Sequence, residues 1–457
     1  MAAPPPRITN FLILPHPREP RILLTEDAGP PSLPSVEETE RRHWANVAPL
    51  VGLVKERLGL RATVLRCGRS RVDRGAGVGT RIYVMEIHGG AEAPPGTRWG
   101  DGSGAAESLA DPDLRSAVAA WSAERSGGRI DENRQAWAHP GWFATTSRWM
   151  RREIVARGMT VTGAIQQVRA WTISSVLKAP TASGDVFLKT SGTTFPSEAR
   201  VTLALARVFP WRLPGIVAVD PARSQLLMRD LGGTRLDRSA DLGQWKAALR
   251  AYAGMQIQSI GAIDDLLAAG CQNRRLAGLH DRIDADLADT AAMMPDDPDP
   301  LTADALTEEE VDRVRSQAGR LHDAVDTLAR GPVPETLDHG DLHAGNIVET
   351  GSTMRIFDWS DACIGHPFFS LLTFLDFHAP PGGAGGRQAL ETAYLEPWTS
   401  FAPMPALRDA LAAATPLAVM HQVSSYRHIL RTVEPALRWE WASVVPYFLR
   451  MLLRGGR

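Results

Sequence analysis

Short groups of apolar residues bounded by turn-forming residues recur along the first 140 positions, and this pattern is typical of strands. Between them, apolar residues at helical spacing from Val47 to Leu58 predict a helix over residues 36–58, with Gly59 as its end. The predicted strands are residues 10–15, 21–25, 62–67 and 81–87.

The remainder of this region is predicted as a glycine- and proline-rich loop over residues 89–104 and a helix over 111–124. We therefore expect an α/β accessory domain over residues 1–140. Its order of elements resembles a Nudix domain. A Nudix helix carries several metal-binding glutamates, whereas only Glu56 fits that pattern here. The resemblance implies a Nudix-like fold without hydrolase activity, and an unrelated accessory domain is the alternative.

Strand patterns return after the turn at His139-Pro140-Gly141, which predicts a domain boundary there. A helix is predicted over residues 142–156, and another begins at Glu198. These elements predict a small lobe over residues 141–233. Its predicted strands are residues 163–172, 176–181, 186–190, 215–219 and 225–228.

Helical spacing of apolar residues dominates residues 234–457, which predicts a large helical lobe. A break rich in proline and aspartate is expected over residues 295–300. The chain as a whole is therefore predicted to be α+β. The predicted helices are residues 242–260, 276–294, 307–328, 387–394, 406–431 and 435–453.

Three polar residues, Asp341, Asn346 and Asp358, lie between apolar runs in this lobe. Phosphoryl transfer needs an oriented acceptor and metal ions that hold the charge, rather than covalent help from the protein. A loop carboxylate can accept the acceptor's proton, and an amide oxygen with a second carboxylate can hold Mg²⁺. A turn would explain Gly340 alone, but it does not explain three such groups in this order.

The string His339-Gly340-Asp341-Leu342-His343-x-x-Asn346, followed by Asp358-Trp359-Ser360, resembles the aminoglycoside phosphotransferase family. The resemblance covers residues 142–453 and is most specific over 338–371. It implies a two-lobed protein-kinase-like fold, with Asp341 as catalytic base and with Asn346 and Asp358 as Mg²⁺ ligands. The stretch departs from the protein kinase pattern because Gly340 replaces arginine.

The same resemblance implies a nucleotide site for ATP or GTP in which Lys189 holds phosphates and Glu198 pairs with Lys189. The backbone from Met228 to Asp230 is the implied hinge against adenine. The alternatives are a solvent-exposed edge lysine at Lys189 and a simple interdomain turn after Met228. Lys178, on the preceding strand, is expected to be an ordinary surface lysine.

Charge and cysteine content limit the partners and the compartment. The net charge of −2 gives no field that would recruit nucleic acid or a membrane, and we expect no signal peptide or membrane span. Cys67, Cys271 and Cys363 form no close pair, which favours a reducing cytoplasm. Residues 281–340 hold sixteen acidic and five basic residues. These are either solvated helix faces or an acidic rim for a cationic substrate.

Three functions fit these observations. The first is transfer of a γ-phosphoryl group to a hydroxyl of a small molecule, such as an aminoglycoside antibiotic. The second is a metabolic kinase for a sugar, amino alcohol or amino acid. The third is a nucleotide-binding regulatory module with little turnover, and the complete set of Asp341, Asn346 and Asp358 argues against it.

Overall fold

The computed structural model describes residues 7–26, 30–40, 42–73, 76–90, 92–296, 304–351 and 353–455. The chain divides into two compact units. Unit 1 comprises Met1–Thr193 and Thr432–Trp439, and unit 2 comprises Thr194–Arg431 and Glu440–Arg457. The domain boundaries predicted after residues 140 and 233 stay predictions. The predicted break over 295–300 lies largely outside the described residues.

Unit 1 combines strands and helices in an order close to the predicted one. Its described strands are β1 Arg7–Ile13, β2 Arg21–Thr25, β3 Ser35–Glu38, β4 Ala62–Asp73, β5 Val78–Ile87, β6 Thr97–Asp101, β7 Gln166–Ala170, β8 Ser175–Ala179 and β9 Val186–Thr190. Its described helices are α1 Ala48–Leu58, α2 Gly102–Ser108, α3 Pro112–Arg125 and α4 Trp142–Ala156.

A four-stranded sheet in the order β3-β1-β5-β4 forms the centre of the first part of unit 1. Strands β1 and β5 are parallel, and the other pairs are antiparallel. Alternate residues of β5 face opposite sides, as a strand requires. Tyr83 and Met85 pack in the core that contains α1, whereas Ile82 and Val84 pack in the core that contains α3. The sheet is thus covered on both faces.

The helix predicted over residues 36–58 is wrong in its first part. Residues Ser35–Glu38 form strand β3, and helix α1 begins only at Ala48. Burial alternates along β3, since Val36 and Glu38 are buried and their neighbours are exposed. Glu38 forms ion pairs with Arg42 and Arg81. A buried carboxylate therefore stands where an apolar residue would have indicated a strand in the sequence.

The loop predicted over residues 89–104 is also wrong in part. Strand β6 (Thr97–Asp101) pairs with β2, with Trp99 opposite Leu23, and α2 follows directly. Glycine at position 100 lets the strands pack closely, because a Cβ atom there would lie 2.5 Å from a δ-carbon of Leu24 and this side chain would have to move. The glycine that predicted a loop therefore permits close strand packing.

Unit 2 is mostly helical around one large apolar core. Its described helices are α5 Glu198–Val208, α6 Leu242–Ser259, α7 Ile263–Ala268, α8 Leu279–Ala288, α9 Thr290–Met293, α10 Glu308–Arg315, α11 Ala318–Ala329, α12 Ser370–Asp376, α13 Gly383–Leu395, α14 Met404–Thr432 and α15 Val444–Leu453. Its described strands are β10 Ile216–Asp220, β11 Gln225–Arg229, β12 Thr234–Arg235, β13 Gln272–Asn273, β14 Thr336–Asp338, β15 Ile347–Thr350, β16 Thr353–Ile356 and β17 Cys363–Gly365.

Two three-stranded sheets in unit 2 carry the conspicuous polar motif. One has the order β13-β17-β14 and the other β12-β15-β16. Strand β14 ends two residues before Gly340, and the β15–β16 hairpin lies between Asn346 and Asp358. The mixture of sheets and helices confirms the predicted α+β class.

The helix predicted over residues 435–453 is shorter in the structure, because α15 begins at Val444. The preceding segment, Thr432–Trp439, belongs to unit 1. Within that unit Glu434 forms an ion pair with Arg134 at 2.6 Å, and Trp439 lies 5.7 Å from Trp44 between ring centroids. None of the described helices is long and apolar enough to span a membrane.

Many of the acidic residues in the stretch 281–340 already have partners inside unit 2. Asp286, which is 4% exposed, and Asp289 pair with Arg427. Glu310 pairs with Arg450 and is the second half of a capping box at the start of α10. These contacts support the interpretation of solvated and paired helix faces for this stretch.

Candidate active site

The loop that follows β14 carries Asp341, and glycine before it makes the turn possible. Gly340 has a φ of +79°, and a Cβ atom there would collide with the backbone oxygen of Asp361. A residue with a side chain would thus have to displace the neighbouring segment. This explains why the position that is arginine in protein kinases is glycine in this chain.

The backbone around Asp341 is fixed by two side-chain amides. The Nδ2 group of Asn346 donates to the carbonyl oxygen of Asp341 at 3.1 Å. Gln422, on α14, donates through Nε2 to the carbonyl oxygen of Gly340 at 2.8 Å. Asn346 therefore holds the loop with its nitrogen, which leaves its amide oxygen as the atom suited to a metal ion.

His343 lies beside Asp341 but does not form a salt bridge with it at neutral pH. Burial, with the neighbouring His378 and His339, lowers the pKa of His343 to about 4. Its Nδ1 accepts from the Gly345 backbone N–H at 3.0 Å, so the proton of the neutral ring lies on Nε2. That Nε2 is 3.8 Å from Asp341 Oδ2, which is beyond hydrogen-bond distance.

The hairpin β15–β16 brings Asn346 close to the segment that carries Asp358. Ile347 at its start pairs with Ile356 at its end. One residue further out, the Phe357 N–H donates to the Asn346 carbonyl oxygen at 3.1 Å. The two ends of this twelve-residue segment, Asn346 and Phe357, are therefore neighbours, as the antiparallel register of the hairpin requires.

Asp358 has a backbone conformation that is unusual for a residue with a side chain. Its φ is +67°, and among the described non-glycine residues only Ser224 shares a positive φ. Its Oδ1 accepts from the Ser360 hydroxyl at 3.0 Å. Strained backbone of this kind persists where the surroundings impose it, and it is concentrated at functional sites.

Asn346 and Asp358 fit a magnesium ion by the chemistry of their donor atoms. Magnesium prefers hard oxygen ligands and takes few of them from the protein. The hairpin supplies one amide oxygen and one carboxylate from adjoining segments, while the Asn346 nitrogen is already used in holding Asp341. The two residues predicted as metal ligands are therefore compatible with that role.

His339 and Trp359 support this arrangement, although the sequence did not assign them a role. His339 is fully buried, and its Nε2 donates to the Phe357 carbonyl oxygen at 3.0 Å. Its ring lies 4.5 Å from the Trp359 ring, whose Nε1 donates to the Ile356 carbonyl oxygen at 3.1 Å. The histidine thereby ties the loop of Asp341 to the segment of Asp358.

An aromatic group from the C-terminal helices lies near Asp341. Burial, together with the charges of Asp341 and Asp361, raises the pKa of Tyr426 well above its usual value. The Tyr426 ring stacks on Phe448 at 5.6 Å and lies 5.9 Å from Trp441. The sequence does not single out Tyr426, because spacing along α14 does not show which turn faces the loop.

The residues predicted for the nucleotide lie on three elements and on the turn that follows the third. Lys189 is on the less buried face of β9, and Glu198, 3% exposed, is the first residue of α5. Met228 lies in β11, and the exposed Asp230 follows it and accepts from the Gly232 N–H through Oδ1 at 3.1 Å. The nucleotide roles of these four residues stay predictions.

Lys178 behaves as the ordinary surface lysine that the sequence predicts. It pairs with Asp185 at 3.2 Å across the turn between β8 and β9, and both side chains are about one-third exposed. Such an exposed pair contributes little to stability. Lys178 is therefore a suitable control for Lys189, since both lie on the same sheet.

The buried carboxyl group of Asp338 is expected to give the protein an unusual pH dependence of stability. Burial raises its pKa to about 6, so between pH 4 and 6 the folded state binds this proton more tightly than the unfolded chain does. Its contribution to stability therefore falls as the pH rises from 4 to 6, by about 1.4 kcal/mol for each pH unit. We expect Asp338→Asn to flatten this fall, because the amide does not titrate in this range, while its Oδ1 can still accept from the Gly340 N–H and the Ser370 hydroxyl.

Urea denaturation at pH 5.0 and 7.5 gives the change in the free energy of unfolding with pH, for wild type and for Asp338→Asn. The difference between these two changes measures the effect of Asp338. Other carboxylates titrate equally in both proteins and cancel. Equal pH dependence in the two proteins would show that Asp338 does not titrate in this range.

The comparisons with known proteins agree with the chemistry of this site. Residues 186–407 match the model of the phosphotransferase enzyme family (APH). The predicted resemblance is thereby confirmed over these residues, and with it the predicted class of enzyme, a small-molecule kinase acting on hydroxyl groups. The predicted Nudix-like fold of the N-terminal region stays a prediction. The search of curated proteins found no match.

Solved structures with partial similarity include a macrolide 2′-phosphotransferase type I, with 15% identity, a TM-score of 0.47, and coverage of 67% of this chain and 97% of that one. A choline/ethanolamine kinase family protein from Mesorhizobium loti has 18% identity, a TM-score of 0.44, and coverage of 68% and 94%. A spectinomycin phosphotransferase in complex with ADP and spectinomycin has 13% identity, a TM-score of 0.44, and coverage of 68% and 98%.

Proposed function

We propose that this chain transfers the γ-phosphoryl group of ATP or GTP to a hydroxyl group of a small molecule, with Mg²⁺ as cofactor. The observation that carries the proposal is the hairpin β15–β16. Inside the residues that match the phosphotransferase family, it joins Asn346 to the segment of Asp358 and leaves Asp341 on the adjoining loop.

In this proposal Asp341 orients the acceptor hydroxyl and accepts its proton as the oxygen attacks the γ-phosphorus. The oxygen–phosphorus bond to the acceptor forms, and the bond to the β–γ bridging oxygen breaks. Asn346 and Asp358 would hold Mg²⁺ against the phosphates, and the bound ion would neutralise charge there. His343 is neutral at pH 7 because its pKa is lowered to about 4, so it places no positive charge beside Asp341 that would weaken this carboxylate as a base.

Lys189 is proposed to bind the phosphates, with Glu198 as the carboxylate that orients it, and the backbone from Met228 to Asp230 is proposed to meet the base. We expect Lys189→Ala to weaken ATP affinity about ten-fold or more, since hydrogen bonds to charged groups contribute about 1.5–3 kcal/mol. Lys178→Ala is the matched control. Its affinity is expected to stay within about two-fold of wild type, because Lys178 already pairs with Asp185.

Isothermal titration with a non-hydrolysable ATP analogue and Mg²⁺ measures both variants. An equal loss of affinity in the two lysine variants, or no loss in either, would contradict the role of Lys189.

For the acceptor, we propose a cationic, ring-containing molecule with a free hydroxyl, such as an amino sugar antibiotic. Carboxylates at Asp341 and Asp361 lie near the half-buried Tyr426 ring, which packs against the buried rings of Trp441 and Phe448. Aromatic faces and carboxylates together attract cations with apolar rings. We place the reaction in the cytoplasm, because the three cysteines are buried thiols.

The test is Mg²⁺-dependent phosphate transfer from ATP and from GTP to a panel of aminoglycosides, macrolides, sugars, amino alcohols and amino acids. Asp341→Ala serves as the blank. Transfer to a cationic antibiotic that disappears in the blank supports the proposal in full. Transfer only to a sugar, amino alcohol or amino acid would favour a metabolic kinase. Nucleotide binding without transfer to any acceptor would favour a regulatory module.

A further inference from the structure

A chain of three buried hydroxyl and carboxyl groups lies behind the loop that carries Asp341. Tyr252 is on α6, Ser370 is the first residue of α12, and Asp338 is the last residue of β14. The Ser370 Oγ lies 2.6 Å from the Tyr252 hydroxyl oxygen and 2.5 Å from Asp338 Oδ1. Each of the three residues is at most 2% exposed. None of them has a role in the proposed transfer.

The direction of these hydrogen bonds follows from the number of protons. The Asp338 carboxylate only accepts, so Ser370 must donate its single proton to Asp338. Tyr252 must therefore donate to Ser370, and its oxygen is left to accept. That oxygen accepts from the His339 backbone N–H at 2.9 Å, and Asp338 Oδ1 accepts from the Gly340 backbone N–H at 2.8 Å.

The two peptide N–H groups immediately before Asp341 thus both end on this chain of side chains. Gln422 holds the Gly340 carbonyl oxygen at 2.8 Å, so the peptide group between Gly340 and Asp341 is fixed as well. A buried N–H that loses its acceptor costs about 1–3 kcal/mol, so the loop would move to find another partner. A general base misplaced by about 1 Å loses much of its effect.

We propose that Tyr252, Ser370 and Asp338 are positioning residues that set the place of Asp341 during phosphoryl transfer. The inference rests on the proposed function only in taking Asp341 as the base. The three residues act on the backbone of the loop and touch neither nucleotide nor acceptor.

A metal ion does not explain the same residues as well. Potential ligand atoms of Asp338, Cys363 and His421 lie within 4.8 Å of one another. However, the Arg274 guanidinium lies 3.4 Å from His421 Nε2, and its charge lowers the pKa of Asp338 against the effect of burial. A buried cation is therefore already present to balance the carboxylate, and a second one is disfavoured.

Tyr252→Phe and Tyr394→Phe form a matched pair of variants. Both tyrosines are fully buried. The Tyr394 hydroxyl lies 2.6 Å from the Pro367 carbonyl oxygen and 2.7 Å from Gln256 Oε1, and both of these partners are outside the loop. Gln256 also donates through Nε2 to the Tyr252 hydroxyl at 3.3 Å, so Tyr394 reaches the loop only through this amide. Each variant removes one buried hydroxyl, so a purely structural role predicts similar effects of the two on activity.

We expect Tyr252→Phe to lower kcat about ten-fold or more with nucleotide affinity within about two-fold, because the base is misplaced while the metal ligands remain. We expect Tyr394→Phe to keep kcat within about two-fold, although both variants lose stability. The rates are normalised to the fraction of protein that binds nucleotide. If the two variants lower kcat equally, or if neither does, the inference is wrong.

Hydrogen exchange gives a second measurement that needs no turnover. In wild type the His339 and Gly340 amides are expected to be protected, and Tyr252→Phe is expected to speed exchange of a peptide spanning 336–343 about ten-fold. Tyr394→Phe is expected to leave it unchanged. Absence of transfer in wild type would reject the proposed function, while equal exchange in both variants would separately reject the positioning role.

Discussion

Asp341→Asn is expected to lower turnover about 10²–10⁴-fold while nucleotide affinity stays within about two-fold of wild type. The amide has nearly the same shape as the carboxylate, so it can keep the loop in place. It cannot accept the proton of the acceptor hydroxyl. The backbone of residue 341 would still be held by Asn346 and by Gln422 through Gly340, since these bonds reach carbonyl oxygens only.

The measurement is a pair of experiments on the same preparation. Steady-state transfer to the acceptor found in the panel gives kcat, and isothermal titration with a non-hydrolysable nucleotide and Mg²⁺ gives the affinity. A variant that retained most of its turnover would remove Asp341 from the role of base. Loss of nucleotide affinity equal to that of an Asp358 variant would instead assign Asp341 to the metal.

Asp358→Gly is expected to weaken binding of the Mg²⁺–nucleotide complex without lowering the free energy of unfolding. Asp358 has a φ of +67°, a conformation that costs a residue with a side chain about 1–2 kcal/mol and costs glycine almost nothing. Glycine also gains freedom in the unfolded chain, which offsets part of this gain. We therefore expect the free energy of unfolding to be unchanged or up to about 1 kcal/mol higher. Affinity for the Mg²⁺–nucleotide complex should fall about 10²-fold, because a metal ligand is lost.

Ser224→Gly is the matched control, since Ser224 has a φ of +50° in the same unit. It loses a hydrogen bond from its hydroxyl to the Pro196 carbonyl oxygen, as Asp358→Gly loses the one from the Ser360 hydroxyl, so a similar change in stability is expected. Its nucleotide affinity should not change. Chemical denaturation and titration with the Mg²⁺–nucleotide complex check both variants. An Asp358→Gly protein that bound this complex normally would contradict the metal role.

The site could be predicted from sequence to the extent that its chemistry is local. Asp341, Asn346 and Asp358 lie within eighteen positions, and one hairpin joins the last two. Their spacing in the sequence is therefore enough to predict that they lie close together. Tyr252 and Gln422 could not be found in this way. They lie on α6 and α14, some eighty residues to either side of the loop, and in the sequence they are ordinary members of helices.

The errors in the fold have a similar cause. The sequence pattern predicts a helix from residue 36 to 58, although its helical spacing is clear only over 47–58. The strand at its start is missed because the buried residue Glu38 is charged and does not look like a core position. Glycine at position 100 predicts a loop, although it lies in strand β6, where a side chain would have to displace that of Leu24. At both positions the residue type suits a contact with a residue that is distant in the sequence, Arg81 for Glu38 and Leu24 for Gly100.

The segment Thr432–Trp439 has a consequence for how unit 1 is made by the ribosome. Arg134, whose side chain is 6% exposed, is synthesised about three hundred residues before its partner Glu434. Until then its charge is balanced only by Glu124, which it shares with Arg66. Because a buried charge with too few partners is costly, unit 1 is expected to complete its folding only after residue 434 has been synthesised. A nascent chain stalled before residue 434 should therefore remain sensitive to protease in unit 1.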